Sequence, residues 1–271
     1  MISLISEVFW TCAILICSLL DAVVELFFPK KRKSVTGDIV LITGAAHKLG
    51  RATAYEFAKH QSKLVLWDTD KEAIEEIAEE CRSLGAVAHA FVVDCKKREE
   101  VYRVADQVKR DIGDVSILIN NTEVRKIAVL MSTKDELIQD MFEANVLSYC
   151  WTIKAFLPAM MANDHGHIVT AASINGYVGI PLMATFSSSK FGAVGLHEGL
   201  DQELRILGMN KIKTTCLCPT FMKSDLPNNL RLKEFILVEA EDTAKVLMEG
   251  ILTDQKMIFF PWWIKFIPIL K

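Results

Sequence analysis

The chain has 271 residues, 51% of them hydrophobic, and a formal net charge of −3. That length accommodates one large α/β domain with a full core, and the charge gives no reason to expect nucleic acid as a partner. Seven cysteines (Cys12, Cys17, Cys81, Cys95, Cys150, Cys216 and Cys218) form an odd, scattered set, which fits a reduced compartment better than a disulfide framework.

The first feature along the chain is apolar. Val8 to Leu20 reads VFWTCAILICSLL, thirteen residues without a charge. Asp21 and Glu25 follow, then Leu26-Phe27-Phe28-Pro29 and the basic run Lys30-Lys31-Arg32-Lys33. A full helical span needs about 20 apolar residues, so this run is short. No basic segment precedes it and no clear small-x-small site follows it, which argues against a cleaved signal peptide. Residues 1–33 are therefore expected to form a hydrophobic anchor helix, with the basic flank cytoplasmic and against anionic headgroups. A buried core helix is the alternative. Residues 34–271 are expected to be the folded domain.

Strand and helix patterns alternate from residue 38. Ile39-Val40-Leu41-Ile42 is a β-rich run followed by Thr43-Gly44, and a helix is expected over 49–60. Leu64-Val65-Leu66-Trp67 ends at Asp68 and precedes a helix over 70–84. Ala88 to Val93 ends at Asp94. A helix over 97–112 precedes Val115-Ser116-Ile117-Leu118-Ile119. A long helix over about 134–162 leads to His167-Ile168-Val169-Thr170, and another over about 183–207 leads to a strand from Lys213 to Leu217. Apolar strands without alternation, each followed by an amphipathic helix, indicate a parallel sheet covered on both faces. The expected fold is a single Rossmann-like, doubly wound α/β domain, with its ligand crevice at the carboxyl ends of the strands.

Three short features accompany these elements. Asn120-Asn121-Thr122 matches a glycosylation sequon, but it follows a buried-looking strand and is read as a chance match. Cys216-Leu217-Cys218 lies in the last expected strand. Its neighbouring side chains are expected on opposite faces, so no metal site is assigned there. Ile258 to Leu270 carries Trp262-Trp263 beside Lys265, a composition that suits a membrane interface. A dimer contact or core packing is the alternative.

Strand, then Thr43-Gly44-Ala45-Ala46-His47-Lys48-Leu49-Gly50, then helix is where a dinucleotide-binding fold sets its pyrophosphate. Thr43, Gly44, His47, Leu49 and Gly50 are the candidate cofactor contacts in this loop. Asp68, about twenty residues on, would accept hydrogen bonds from ribose hydroxyls and repel a 2′-phosphate, so NAD is expected over NADP. Alternatively, Asp68 or Asp70 caps the helix that begins near Lys71.

Ser173-Ile174-Asn175 and Thr185-Phe186-Ser187-Ser188-Ser189-Lys190 resemble the active-site segment of the short-chain dehydrogenase/reductase family. There a serine is followed thirteen residues later by a tyrosine, and four residues after that by a lysine. Ser173, position 186 and Lys190 keep the spacing, with phenylalanine in place of the tyrosine. The resemblance implies that Ser173 hydrogen-bonds the substrate oxygen and that Lys190 holds the nicotinamide ribose. It also implies that Asn145 relays protons through water. Position 186 would carry the general acid/base, and Phe186 has no titratable group. Tyr177 could take that role only in a rearranged site. Asp94 matches the position that approaches the adenine amino group, with a helix cap as the alternative. Asn120 and Asn121 keep the first half of an Asn-Asn-Ala-Gly signature, while Thr122 and Glu123 replace its small pair. Lys48 replaces the middle glycine of the cofactor loop, Ala46 stands where a glycine is common, and Thr220 follows Pro219 in place of glycine. A Cβ at a loop position that needs a glycine costs on the order of 1–3 kcal/mol.

The resemblance runs from Lys33 to about Ile258 and is strongest to the membrane-associated branch with 17-beta-hydroxysteroid dehydrogenases types 11 and 13 and the epidermal retinol dehydrogenases. Gly37 to Gly44, Leu64 to Asp68 and Lys154 to Met160 carry it. It implies a lipid-soluble alcohol or ketone as substrate, steroid or retinoid in class. It further implies a homodimer through the long helices, and a place at the endoplasmic reticulum membrane or lipid droplet with the domain facing the cytosol. The chain ends sooner after Pro268 than that branch does, which would trim a substrate-side lid or dimer surface. Two expectations result: an NAD-dependent oxidoreductase impaired by Phe186, or an inactive member that keeps the fold as a membrane-bound binding or interaction protein.

Overall fold

The structure is a computed structural model and describes residues 31–223 and 237–270. The expected anchor, residues 1–30 above all, lies outside the described residues. Two members of the basic run are engaged by the domain. Arg32 pairs with Glu249 at 2.7 Å and Lys33 with Asp254 at 2.8 Å. No helix among the described residues is long and apolar enough to cross a membrane.

β1 (Ile39–Thr43), α1 (Lys48–Lys59), β2 (Lys63–Asp68), α2 (Lys71–Ser83), β3 (Val87–Val92), α3 (Arg98–Asp111) and β4 (Ile117–Asn120) form the first half. The second half contains α4 (Asp135–Phe142), α5 (Ser148–Ala162), β5 (Gly166–Ala171), α6 (Ala184–Ile206) and β6 (Ile212–Pro219). Beyond it, the short strands β7 (Phe221–Met222) and β8 (Leu237–Val238) pair with each other, and α7 (Ala240–Leu252) and β9 (Met257–Phe260) follow. The seven-stranded sheet runs β3-β2-β1-β4-β5-β6-β9, with every neighbouring pair parallel. Its order reverses between β1 and β4, and a crevice opens at the carboxyl ends of those strands.

Strand residues alternate between two buried faces. Val40, Ile42, Leu64 and Leu66 pack with Phe57, Ile74 and Leu247 of α1, α2 and α7. Leu41, Val65, Trp67 and Leu118 pack with Val104, Phe156 and Leu204 of α3, α5 and α6. Burial on both faces is why these strands read as unbroken apolar runs.

The helical stretch expected over about 134–162 is present over 135–162, with a π-turn at Glu143–Leu147 between α4 and α5. Two other expectations are corrected. The segment near Ile258 belongs to the sheet: β9 pairs with β6, and Ile258 and Ile264 are buried, so core packing accounts for both. Trp262 remains 68% exposed. Cys216 and Cys218 lie on one face with their sulfurs 3.8 Å apart, because residues two apart in a strand share a face. No group of three or more metal-ligating side chains occurs among the described residues.

Candidate active site and nucleotide crevice

The loop after β1 is tied to the segment that follows β4. Thr43 Oγ1 accepts from the backbone N–H of Asn121 at 3.0 Å, and Asn121 Nδ2 donates to Gly44 O at 3.0 Å. Gly44 sits at φ +62° with Thr122 against it; a Cβ there would be 3.0 Å from Thr122 Cα. A Cβ on Gly50 would lie 2.3 Å from Gly44 O, so α1 starts where it does because residue 50 is glycine. Neither Ala46 nor Lys48 has positive φ, so the strain expected from losing glycine at those positions is absent. Lys48 is exposed at the first position of α1. His47, the N-cap, makes no side-chain capping bond. The first-turn N–H groups thus have no side-chain partner, the usual condition of an anion-binding helix end.

A cavity of about 250 Å³ lies beyond this loop, lined by Gly44, His47, Asp68, Thr69, Asp94, Thr122 and Glu123 among others. Asp68 Oδ2 accepts from Ala46 N–H at 3.0 Å, and Oδ1 accepts from Thr69 N–H at 2.7 Å. The cap of α2 is Asp70, which accepts from Ala73 N–H, so Asp68 is spared that task. Asp94 accepts from Lys96 N–H at 3.1 Å; the N-cap of α3 is Lys97, so the helix-cap alternative for Asp94 does not hold. Asn120 is fully buried, and its Oδ1 accepts from Thr152 at 2.6 Å. Thr43, Gly50 and Asn120 hold the walls together and line neither cavity.

A second, inner cavity of about 40 Å³ is bordered by Leu49, Glu123, Arg125, Ser173, Phe186 and Phe221, with His47 and Lys48 at its mouth-side wall. Ser173 Oγ accepts from Asn175 N–H at 3.2 Å and so caps its own loop. Phe186 is 2% exposed and packs on Met141 and Met183. Its ring centre lies 5.5 Å from Lys190 Nζ and 5.7 Å from the Arg125 guanidinium, within cation–π range. The structure thus brings Ser173 and Phe186 to one cavity with Lys190 behind the ring, and places the Asp68 and Asp94 carboxylates at the other.

Lys190 is fully buried. Its ammonium donates to Ala171 O at 3.0 Å and pairs with Glu123 Oε2 at 2.7 Å. Arg125 Nε stands 3.7 Å from the other Glu123 oxygen. Burial alone would raise the Glu123 carboxyl, but Lys190, Arg125 and the more distant His47 hold it below its ordinary range. The sequence places Glu123 where the family signature has a small residue but does not mark this partner, 67 positions further along. Asn145 sits in the π-turn and does not reach Lys190 directly. Its Oδ1 accepts from Val124 N–H at 2.8 Å, while Nδ2 donates to Val124 O and to Ser189 Oγ, each at 2.9 Å. Tyr177 donates to Glu198 at 3.4 Å and packs its ring at a tilt against Phe259, away from the inner cavity. Burial, with the fields of Cys218 and Cys216, pushes its phenol above the ordinary range. It does not replace the missing hydroxyl at position 186.

The outer cavity, with its two carboxylates and an open helix end, fits the adenosine and phosphate part of a dinucleotide. The inner cavity does not fit the nicotinamide part as it stands, because Glu123 already holds Lys190.

The description short chain dehydrogenase matches residues 38–234. Estradiol 17-beta-dehydrogenase 11 of Pongo abelii is 53% identical over 258 residues, which is 95% of this chain and 86% of that protein. 17-beta-hydroxysteroid dehydrogenase 13 of Homo sapiens is 50% identical over 262 residues, 97% of this chain and 87% of that protein. A short chain dehydrogenase/reductase from Burkholderia phymatum, solved in complex with NAD, superposes with a TM-score of 0.79 at 26% identity, over 87% of this chain and 93% of that one.

Proposed function

The chain belongs to the short chain dehydrogenase family, and from that premise we propose that it is an oxidoreductase of lipid-soluble alcohols whose catalysis is impaired at position 186. The reaction class is hydride transfer between NAD(H) and a steroid or retinoid alcohol or ketone. The observation that carries the reading is the cavity where Ser173 meets Phe186, with Lys190 behind the ring. The names of two relatives, hydroxysteroid dehydrogenases of about half-identical sequence, support the substrate class. The NAD bound to the Burkholderia phymatum neighbour supports a nicotinamide cofactor. Asp68 favours NAD over NADP, since its carboxylate in the wall of the outer cavity would repel a 2′-phosphate.

The chain's own residues leave one task unfilled. Ser173 can present a hydroxyl to a substrate oxygen. Phe186 can confine that substrate sterically but cannot move a proton. General acid–base catalysis typically contributes about 10²–10⁴-fold, so its loss leaves slow turnover at most. The homodimer and the membrane or lipid-droplet site belong to the same proposal. An outward groove between α5 and α6, lined by Ile153, Leu157, Met161 and Leu196, supplies an apolar face suited to a second copy.

A second reading is a catalytically inactive binding or interaction protein, favoured by the engagement of Lys190 by Glu123. Turnover of estradiol and retinol by Phe186→Tyr, made in wild-type and Glu123→Gly backgrounds, separates the two. The oxidoreductase reading expects the tyrosine to raise the rate by about 100-fold or more in at least one background. Rates unchanged in both, from folded protein with NAD bound, would reject it and leave the binding protein.

A further inference from the structure

We infer that Glu123 is a built-in competitor for the nicotinamide end of the crevice, so that the folded chain takes an adenosine nucleotide in the outer cavity and excludes the second half of a dinucleotide. This rests on reading the crevice as a nucleotide site and accords with the second, inactive reading of the wild-type chain, since hydride transfer would require Glu123 to leave Lys190.

Glu123 lines both cavities and therefore stands at the neck between them. Its carboxylate is 2.7 Å from Lys190 Nζ, with the lysine side chain 1% exposed and the glutamate 23%. Arg125 closes from the other side at 3.7 Å. The ammonium has one further acceptor, Ala171 O. Two of the ammonium's three donors are thus taken and the Phe186 ring lies 5.5 Å from Nζ, so a ribose hydroxyl that reached Lys190 would compete with the carboxylate for it. A neutral hydroxyl cannot match that charge, and the stranded carboxylate would lose its nearest cation. Room points the same way. The inner cavity of about 40 Å³ holds on the order of three waters, while the outer one holds about 250 Å³. Phe186 completes the block, because its ring borders the inner cavity and packs near Lys190 without offering the ammonium a hydrogen bond. The loss of the proton donor and the pairing of the lysine with Glu123 are thus parts of one rearranged site.

Calorimetry on the full-length protein in detergent, with AMP and NAD as probes, tests this. Wild-type protein is expected to bind the two within about threefold of each other, since the nicotinamide half adds no contact. Glu123→Gly is expected to tighten NAD by at least about 100-fold while AMP stays within about threefold. Glu123→Gln, which keeps the shape and removes the charge, is expected to shift NAD in the same direction, and it carries the test if the glycine variant does not fold. NAD far tighter than AMP in wild type would overturn the inference, as would a NAD-to-AMP ratio that neither variant moves; both leave the cofactor reading standing. Failure of folded wild type and variants to bind either nucleotide would overturn both.

Discussion

At the scale of single residues, the site is decided by what lies within a few ångströms of two positions. Gly50 has no room for a side chain: a Cβ would meet Gly44 O at 2.3 Å and Ala45 Cα at 2.9 Å, both backbone atoms that cannot swing aside. Gly50→Ala is expected to destabilise the fold by about 1–3 kcal/mol, read as a lower urea midpoint at unchanged slope. A midpoint equal to wild type would show that the loop after β1 yields freely. Glu123 is the opposite case, a side chain that finds a partner where the family pattern has glycine. Glu123→Gln separates the charge of its ion pair with Lys190 from the bulk of the side chain, which is why the glutamine variant is informative.

At the scale of elements, the π-turn between α4 and α5 is the joint that ties the site together. Asn145 satisfies both the N–H and the C=O of Val124, in the loop after β4, and also donates to Ser189 of α6. One buried amide therefore sets the relative positions of three elements around Glu123 and Lys190. π-Turns recur at functional sites because the extra residue redirects a side chain. Asn145→Leu, close in volume but without polar atoms, leaves both Val124 groups unpaired. It is expected to cost about 2–4 kcal/mol in thermal or chemical unfolding. A loss below about 0.5 kcal/mol would mean that water takes over those bonds. The sequence exposed the long helical stretch but not the π-turn within it, since the apolar spacing holds on both sides of the turn.

At the scale of the whole molecule, two buried histidines couple stability to pH. Burial, with the fields of Lys33, Lys213 and His197, holds His167 well below the ordinary value of 6.5. Burial, against Asp201 and with Lys256, brings His197 down to about 4. Both are neutral in the folded state, while the unfolded chain takes up protons as pH falls below about 6.5. The unfolded state then binds more protons, so stability is full above that pH and is lost as pH falls towards the folded value. His197 alone contributes a loss of about 3 kcal/mol between about pH 6.5 and pH 4. Glu123, whose carboxyl is held below its ordinary 4.5, adds a loss in the same direction under that value. Urea midpoints measured from about pH 7.5 down to about pH 4.5 should fall steadily. A flat profile would show that the histidines are solvated in the native state.

The sequence by itself determined the layered α/β architecture, because strands buried on both faces must be apolar throughout and their helices must be amphipathic. It also determined the proximity of Phe186 and Lys190, since residues four apart share a helix face. It did not reveal α7, nor β9, which opens an aromatic, apolar run that resembles a membrane interface as closely as a sheet edge. It offered Asp68 or Asp70 as the cap of α2, and the structure takes Asp70; it did not show that Tyr177 turns to Glu198 or that Cys216 and Cys218 touch. Only the tertiary structure decided that Glu123 meets Lys190. The glutamate follows β4 and the lysine lies on α6, so they come together only when the sheet closes around the crevice; an ion pair between distant positions leaves no periodicity in the chain to mark it.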